Sequence, residues 1–347
     1  MIKALIIDDS AFNRVTLTKM LEVHPAIKVV GTAVNGEDGI KQVLRLKPDV
    51  ITLDLEMPVM DGFAFLRWLM ANAPTPVIIV SSQVSDRSVF KALELGALDF
   101  IAKPGGRVSV KLGEIGGDLI AKVLQVADVR IDNLARRAQE EEQEQSDTEL
   151  ATRNAGGIEL VVIGSSTGGP PALQHLFESL KKLPVAFVVA QHMPPTFTRL
   201  FAERVNRLSA YEVKEAEDSE RLKPGTVYIA PGGQRTEVKR DGEELYLRVL
   251  PARVDDIYAP SIDTLFHTAS EVCGEHLIAV VLTGMGDDGS HALPEVRQRG
   301  GKTIAESTDT AIIAGMPAAA VKTGAVDQVL PLGDIPDAIR KLCSSGL

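Results

Sequence analysis

The chain has 347 residues, 45% of them hydrophobic and 24% charged, with a formal net charge of -10. That length predicts two domains with a buried core in each. The acidic balance argues against nucleic acid as a partner, since phosphate binding needs a basic face, and no apolar run is long enough for direct insertion into a membrane. Met1 to Ile7 meets Asp8-Asp9 too soon for a signal peptide, so the cytoplasm is the expected location. The two cysteines, Cys273 and Cys343, lack metal-site spacing and read as reduced packing residues.

In the first half, apolar runs alternate with helix-like segments. Ala4 to Ile7, Lys28 to Ala33, Val50 to Leu53, Val77 to Val80 and Leu98 to Ala102 read as strands; Phe12 to Val23, Glu37 to Leu46, Gly62 to Met70, Arg87 to Leu95 and Val108 to Gln125 read as helices. Five βα units predict a parallel sheet covered on both faces, with ligands beyond the carboxyl ends of its strands. That edge receives Asp8-Asp9, Asp54, Ser81 and Lys103-Pro104. Three carboxylates brought together repel one another unless a hard cation bridges them, so Asp8, Asp9 and Asp54 suggest an octahedral Mg²⁺ site. With the ion offsetting incoming charge, Asp54 could take up a phosphoryl group as nucleophile, while Lys103 and Ser81 contact its oxygens.

Asp8-Asp9-Ser10, Asp54-Leu55-Glu56-Met57-Pro58-Val59-Met60-Asp61-Gly62, Val80-Ser81-Ser82 and Lys103-Pro104 closely resemble the receiver domain of two-component response regulators. The resemblance implies a flavodoxin-like (βα)5 fold and phosphorylation of Asp54 by a histidine kinase. It also implies Mg²⁺ held by Asp9, Asp54 and the Glu56 carbonyl, with Asp8 nearby, and a switch aromatic at Phe100. After Gln125 the apolar period is lost, and the charged run from Arg136 to Asp147 ends in Asn154-Ala155-Gly156-Gly157. It reads as a solvated linker, helical at its start where Arg and Glu can pair. The expected division is a receiver over 1-125, a linker over 126-157 and a second domain over 158-345.

In the second half, Glu159 to Ile163 reads as a strand, and Gly164-Ser165-Ser166-Thr167-Gly168-Gly169-Pro170-Pro171 leads into a helix from Ala172 to Leu180. Gly164 and Gly168 bracket Ser166 in the spacing of a nucleophile elbow, although a phosphate-binding turn shares the composition. The strand from Val185 to Ala190 ends at Gln191-His192, and the strand from Leu277 to Leu282 runs into Thr283-Gly284-Met285-Gly286-Asp287-Asp288-Gly289. One parallel sheet would carry serine, histidine and aspartate to a common rim, where an imidazole takes the serine proton and a carboxylate fixes its tautomer. Pattern does not separate Asp287 from Asp288, and His291 also stands near this loop. The chain order Ser, His, Asp differs from that of α/β-hydrolases.

The stretches Gly164 to Gly169, Gln191 to Pro194, Phe197-Thr198-Arg199, Tyr228 to Gly232, Pro260-Ser261-Ile262-Asp263, Leu282 to Gly289 and Ala314-Gly315-Met316-Pro317 resemble, in order, the chemotaxis protein-glutamate methylesterase family. The resemblance implies a doubly wound, mainly parallel α/β methylesterase domain. It implies Ser166 as nucleophile, His192 as general base and acid, and Asp288 as the orienting carboxylate, with Thr167 and the Met285 backbone lining the site. It further implies a phosphorylation-activated serine hydrolase that demethylates glutamate methyl esters on methyl-accepting chemoreceptors and deamidates receptor glutamines, without a cofactor for hydrolysis. Tyr258-Ala259 departs from the family pattern, in which many members carry a basic residue there. The alternatives are a receiver coupled to a nucleotide-binding domain, weakened by the lack of a P-loop ending or Rossmann glycine order, and a catalytically silent receptor adaptor.

Overall fold

The computed structural model describes residues 1–81, 86–103, 112–126 and 157–344. It divides into two compact units, Met1–Glu144 and Gln145–Leu347. Pro104, Ser82 and nearly all of the 126-157 stretch, including its expected helical start, lie outside the described residues. Among the described residues no helix is long and apolar enough to cross a membrane.

The first unit is an α/β sandwich. Its strands β1 (Ile2–Ile7), β2 (Ile27–Ala33), β3 (Val50–Leu53), β4 (Val77–Ser81) and β5 (Asp99–Ala102) alternate with helices α1 (Ala11–Leu21), α2 (Gly36–Leu46), α3 (Gly62–Asn72), α4 (Asp86–Glu94) and α5 (Leu112–Val126). The strands pair in parallel in the order β2-β1-β3-β4-β5. Helices on both faces explain why β3 and β4 read as continuous apolar runs, buried at every position, instead of alternating. The chain winds outward from β1 in two directions, so the switch point falls between β1 and β3. There Ile7 pairs with Leu53, and the next residues along each strand are Asp8 and Asp54.

Local chemistry sets the helix starts. Ser10, Asn35 and Asp61 cap α1, α2 and α3 by accepting from the amides of Asn13, Asp38 and Ala64. β1 begins at Ile2, two residues before the predicted start, because Ile2 and Lys3 pair with Ile27 and Lys28. The proposed start of the last helix at Val108 lies outside the described residues.

The second unit is a seven-stranded parallel sheet in the order β14-β13-β12-β6-β7-β9-β8. The strands are β6 (Leu160–Ser165), β7 (Ala186–Gln191), β8 (Glu212–Glu215), β9 (Thr226–Ile229), β12 (Leu277–Val281), β13 (Lys302–Glu306) and β14 (Gln328–Leu330). Helices α6 (Gly169–Ser179), α7 (Pro195–Leu208), α8 (Ile262–Cys273), α9 (Leu293–Gln298), α10 (Gly315–Lys322) and α11 (Ile335–Ser344) cover it. The strands β6, β7 and β12 are buried at every position. From β6 the chain runs to one side through β7 and β9, then returns to build β12, β13 and β14 on the other, which makes the β6/β12 boundary this sheet's switch point. A separate antiparallel hairpin, β10 (Gln234–Asp241) and β11 (Glu244–Pro251), turns at Gly242 with φ +58° and packs on α8, where the Val238 amide donates to Thr268.

The loop after β3 holds Val59 at φ +71°, a left-handed conformation that crowds a β-branched side chain, and the side chain is largely exposed. Val59→Asn should therefore stabilise the first unit by about 1 kcal/mol, since asparagine tolerates that region and no buried contact is lost. Denaturant unfolding followed through Trp68, the sole tryptophan and part of α3, checks this; an unchanged or lower midpoint contradicts it.

Candidate active site

The apolar, strand-forming run of β6 delivers Ser165 and Ser166 to the switch point, where the Ser166 amide donates to the Thr283 carbonyl at 3.0 Å. The chain then turns through Gly168 at φ +76° into α6, with prolines at its start. A Cβ on Gly164 would stand 2.3 Å from Ile262, so glycine is what lets the start of α8 lie against this strand. Ser166 is absent from the left-handed non-glycine residues among those described, so the turn is not the strained elbow that the Gly-x-Ser-x-Gly spacing suggested.

His192 follows directly from strand register. Ser165 and Gln191 are the last paired residues of β6 and β7, so Ser166 and His192 are the next residues on neighbouring strands, which lie about 4.8 Å apart. The His192 amide donates to the Ser165 carbonyl at 3.0 Å. Gln191, fully buried, ties the two ends together: its side-chain amide donates to the Ser166 carbonyl at 2.9 Å and to the His192 carbonyl at 3.0 Å. Its carbonyl oxygen accepts from the Ser165 hydroxyl at 2.6 Å.

Asp288 reaches this point from the loop after β12. Its Oδ2 lies 2.8 Å from Nε2 of His192 and also accepts from the Ile262 amide at 2.8 Å, while Oδ1 accepts from the Asp263 amide at 2.9 Å. The carboxylate therefore occupies the amino end of α8, where unpaired amides and the helix dipole favour negative charge. Burial, the strongest single influence, pushes the carboxyl up. The His192 hydrogen bond and charge, followed by the two amides, outweigh it and hold the group below its ordinary range. The structure thus separates the two aspartates: Asp288 is buried against the imidazole, whereas Asp287 is exposed and 3.7 Å from His291.

A carboxylate can only accept, so the neutral imidazole carries its proton on Nε2 and its lone pair on Nδ1. Nδ1 is then the ring nitrogen left for a serine proton. No hydrogen bond joins the Ser166 hydroxyl to the His192 ring among the described residues. Both groups are nearly buried, with Ser166 9% exposed and the His192 side chain 15%. Thr167 is buried beside them, its carbonyl accepting from the Thr283 hydroxyl at 3.0 Å, and Met285 follows Gly284 in the same loop. The other histidines lie elsewhere: His291 pairs with Asp263 at 2.9 Å on the rim and His267 with Glu295 at 2.6 Å.

In the first unit, Asp8, Asp9 and Asp54 place carboxylate oxygens within 4.8 Å of one another. Lys103 pairs with Asp8 at 2.6 Å and also with Asp54. Three carboxylates against one ammonium leave excess negative charge and an all-oxygen donor set, which fits a hard divalent cation such as Mg²⁺. The Ser81 hydroxyl is buried without a hydrogen-bond partner, an orphan that a phosphoryl oxygen would satisfy. The Glu56 side chain is exposed and stands apart from the three carboxylates; its amide lies 3.4 Å from Asp54. Phe100 is buried on β5.

Residues 161–339 match the family model for CheB methylesterase, and residues 4–111 match that for the response regulator receiver domain. The chain belongs to the CheB methylesterase family. A Geobacter sulfurreducens protein-glutamate methylesterase/protein-glutamine glutaminase 3 is 44% identical over 99% of this chain and 97% of its own length. A Myxococcus xanthus protein-glutamate methylesterase/protein-glutamine glutaminase 1 is 46% identical over 98% and 97%. The crystal structure of the Thermotoga maritima CheB methylesterase catalytic domain, 40% identical, covers 54% of this chain and 97% of that chain, with a TM-score of 0.51.

Two residues of this CheB methylesterase unit escape motif reasoning. Gln191 gave no sequence signal beyond its place before His192; its bracing role appears only once both strand ends are in place. Tyr258 stacks on His192 with ring centroids 4.7 Å apart and planes 5° apart, although the sequence marked its segment only as a departure.

The grip on Asp288 makes stability pH-dependent. Its folded pKa is depressed, so its contribution is complete above the ordinary carboxylate value of 3.8 and is lost as pH falls through the lower folded value. Asp288→Asn should be less stable than the parent at pH 7, with the gap narrowing below about pH 4. Asp263 is held above the ordinary range mainly by burial and in smaller part by the Asp288 charge, so the asparagine variant also relaxes Asp263 slightly, an effect secondary to the loss of the Asp288 carboxylate. Calorimetry at pH 7 and pH 3 measures the gap; one that stays constant contradicts the grip.

Proposed function

We propose that the chain is a phosphorylation-activated serine hydrolase that removes methyl groups from glutamate esters on chemoreceptors and converts receptor glutamines to glutamates. Membership of the CheB methylesterase family supports this activity, and one observation carries the mechanism: the His192–Asp288 pair beside Ser166 at the strand ends. The chain acts from the cytoplasm on methyl-accepting receptors, with a histidine kinase as its phosphodonor. The nucleotide-binding and adaptor alternatives account for neither the buried imidazole–carboxylate pair nor the hydroxyl next to it.

In the first step the Ser166 Oγ bonds to the ester carbonyl carbon while its proton passes to Nδ1 of His192. Asp288 holds the ring and offsets the imidazolium charge. Backbone amides about Thr167 and Met285 face the oxyanion. Collapse breaks the bond to the methoxy oxygen, which takes the proton from His192 and leaves as methanol. Water then attacks the acyl-enzyme, giving its proton to His192, and the Ser166 oxygen leaves with that proton to free the glutamate carboxylate. On a glutamine the same path expels ammonia, which depends more heavily on protonation by His192.

In the receiver, the Asp54 carboxylate accepts a phosphoryl group, with Lys103 and Ser81 bonding its oxygens. Asp8, Asp9 and Asp54, with the Glu56 carbonyl, would hold Mg²⁺, which when bound offsets the charge of the incoming group. Phosphorylation biases the equilibrium between a restrained and an active arrangement of the two domains.

Methanol release from methylated receptor membranes, with and without a small-molecule phosphodonor, tests both parts. Ser166→Ala should lower the rate by about three orders of magnitude or more. Asp54→Asn should keep the basal rate and lose the rise with phosphodonor. A Ser166→Ala protein at the parent rate, or an Asp54→Asn protein that is still activated, would refute the corresponding part.

A further inference from the structure

Among the described residues the His192 ring has one hydrogen-bonding anchor. Nε2 meets Asp288, but a single bond to one ring atom leaves the plane free to swing about it, and the torsion that turns an imidazole is intrinsically broad. Swinging would carry Nδ1 away from Ser166. The face contact that removes this freedom comes from Tyr258, whose ring lies parallel to the imidazole, with centroids 4.7 Å and planes 5° apart.

We propose that Tyr258 is a positioning residue for the histidine: its aromatic face fixes the plane in which Nε2 meets Asp288 and Nδ1 addresses Ser166. The inference rests on the hydrolase reading above. Three features of the segment support it.

First, Tyr258 and the grip on Asp288 belong to one short stretch of chain. Tyr258 covers the ring; Ala259 accepts from the Gly233 amide at 3.0 Å; Ser261 caps α8; and the amides of Ile262 and Asp263 hold the Asp288 carboxylate. Residues 258–263 therefore clamp the imidazole on its face and its partner at the helix start.

Second, the plane and not the hydroxyl makes the contact. The phenol end rests against the loop that carries Asp288, where a Cβ on Gly286 would stand 2.8 Å from the hydroxyl oxygen. Among the described residues that hydroxyl has no hydrogen bond. Burial, then the charges of Asp287, Asp288 and Asp263, push the phenol up, so the ring stays neutral.

Third, the electron-rich face of a neutral phenol attracts an imidazolium, the form His192 takes during turnover.

The test is steady-state methanol release by the full chain with phosphodonor, as a function of pH. The ionisable groups about the imidazole are Asp288 on Nε2, with Asp263, Asp287 and His291 on the rim and Tyr258 on the face. Tyr258→Phe and Tyr258→Trp keep a plane and should stay within about three-fold of the parent in kcat. Tyr258→Leu and Tyr258→Lys remove it and should lose about ten- to a hundred-fold in kcat, with KM changed less than about two-fold. The pH profile of kcat/KM should be kept by the phenylalanine variant and altered in the leucine variant. A leucine or lysine variant with parental kcat and pH profile overturns the proposal, as does a phenylalanine variant as impaired as leucine. Ser166→Ala in the same assay separates the two levels. If it is inactive while Tyr258→Leu is parental, only the role of Tyr258 fails; if it is active, the serine mechanism itself fails.

Discussion

The second unit depends on the parallel pairing of β6 with β7. Pairing that ends at Ser165 and Gln191 leaves a hydroxyl and an imidazole as the next residues on adjacent strands, at a separation set by backbone hydrogen bonding and not by side-chain choice. A slip of one residue in either strand would turn that strand's side chain to the opposite face of the sheet and part the pair. The apolar faces of β6 and β7, buried at every position, make that slip costly, so the hydrophobic core is what fixes the register of the chemistry.

The third member of the site is fixed by a different force. Asp288 sits in a loop, yet its carboxylate is immobilised by the first amides of α8, which would otherwise lack partners. Thr283 extends the bracing: its carbonyl takes the Ser166 amide, its hydroxyl donates to the Thr167 carbonyl and accepts from the Ile313 amide, and its own amide is held by buried Glu306. Helix end, strand ends and loop are joined by hydrogen bonds that are largely buried, where such bonds are strong and their loss is expensive. The receiver applies related logic with other chemistry: like charges gathered at a switch point wait for a cation and a phosphoryl group.

Much of this was legible from the sequence because strand ends in a parallel sheet share a rim. The runs ending at Asp8, Asp54, Ser166, His192 and Thr283 could be read from apolar, β-branched patterns, and their meeting followed from fold class alone. Choosing Asp288 over Asp287 required the family resemblance, since the two are adjacent in one loop; geometry shows that Asp288 faces inward. The hairpin of β10 and β11 was hidden among charges such as Lys239, Arg240 and Arg248, although Asp241-Gly242 is a strong turn signal between alternating residues. The stack of Tyr258 on His192 joins residues far apart in the chain, through a loop with no periodic pattern, and one sequence offers no warning of it. The elbow reading failed for a related reason: Gly-x-Ser-x-Gly fixes composition, while the left-handed residue proved to be Gly168 and not Ser166.

The central claim is that Asp288 holds the neutral His192 ring in one tautomer, with the proton on Nε2 and the lone pair on Nδ1 for Ser166. Nitrogen-15 NMR of histidine-labelled protein, with His192 assigned by its loss in a His192→Gln variant, reads this directly on the neutral ring. The account predicts a protonated Nε2 and an unprotonated Nδ1. A ring protonated on Nδ1, with the lone pair turned toward Asp288, would contradict it.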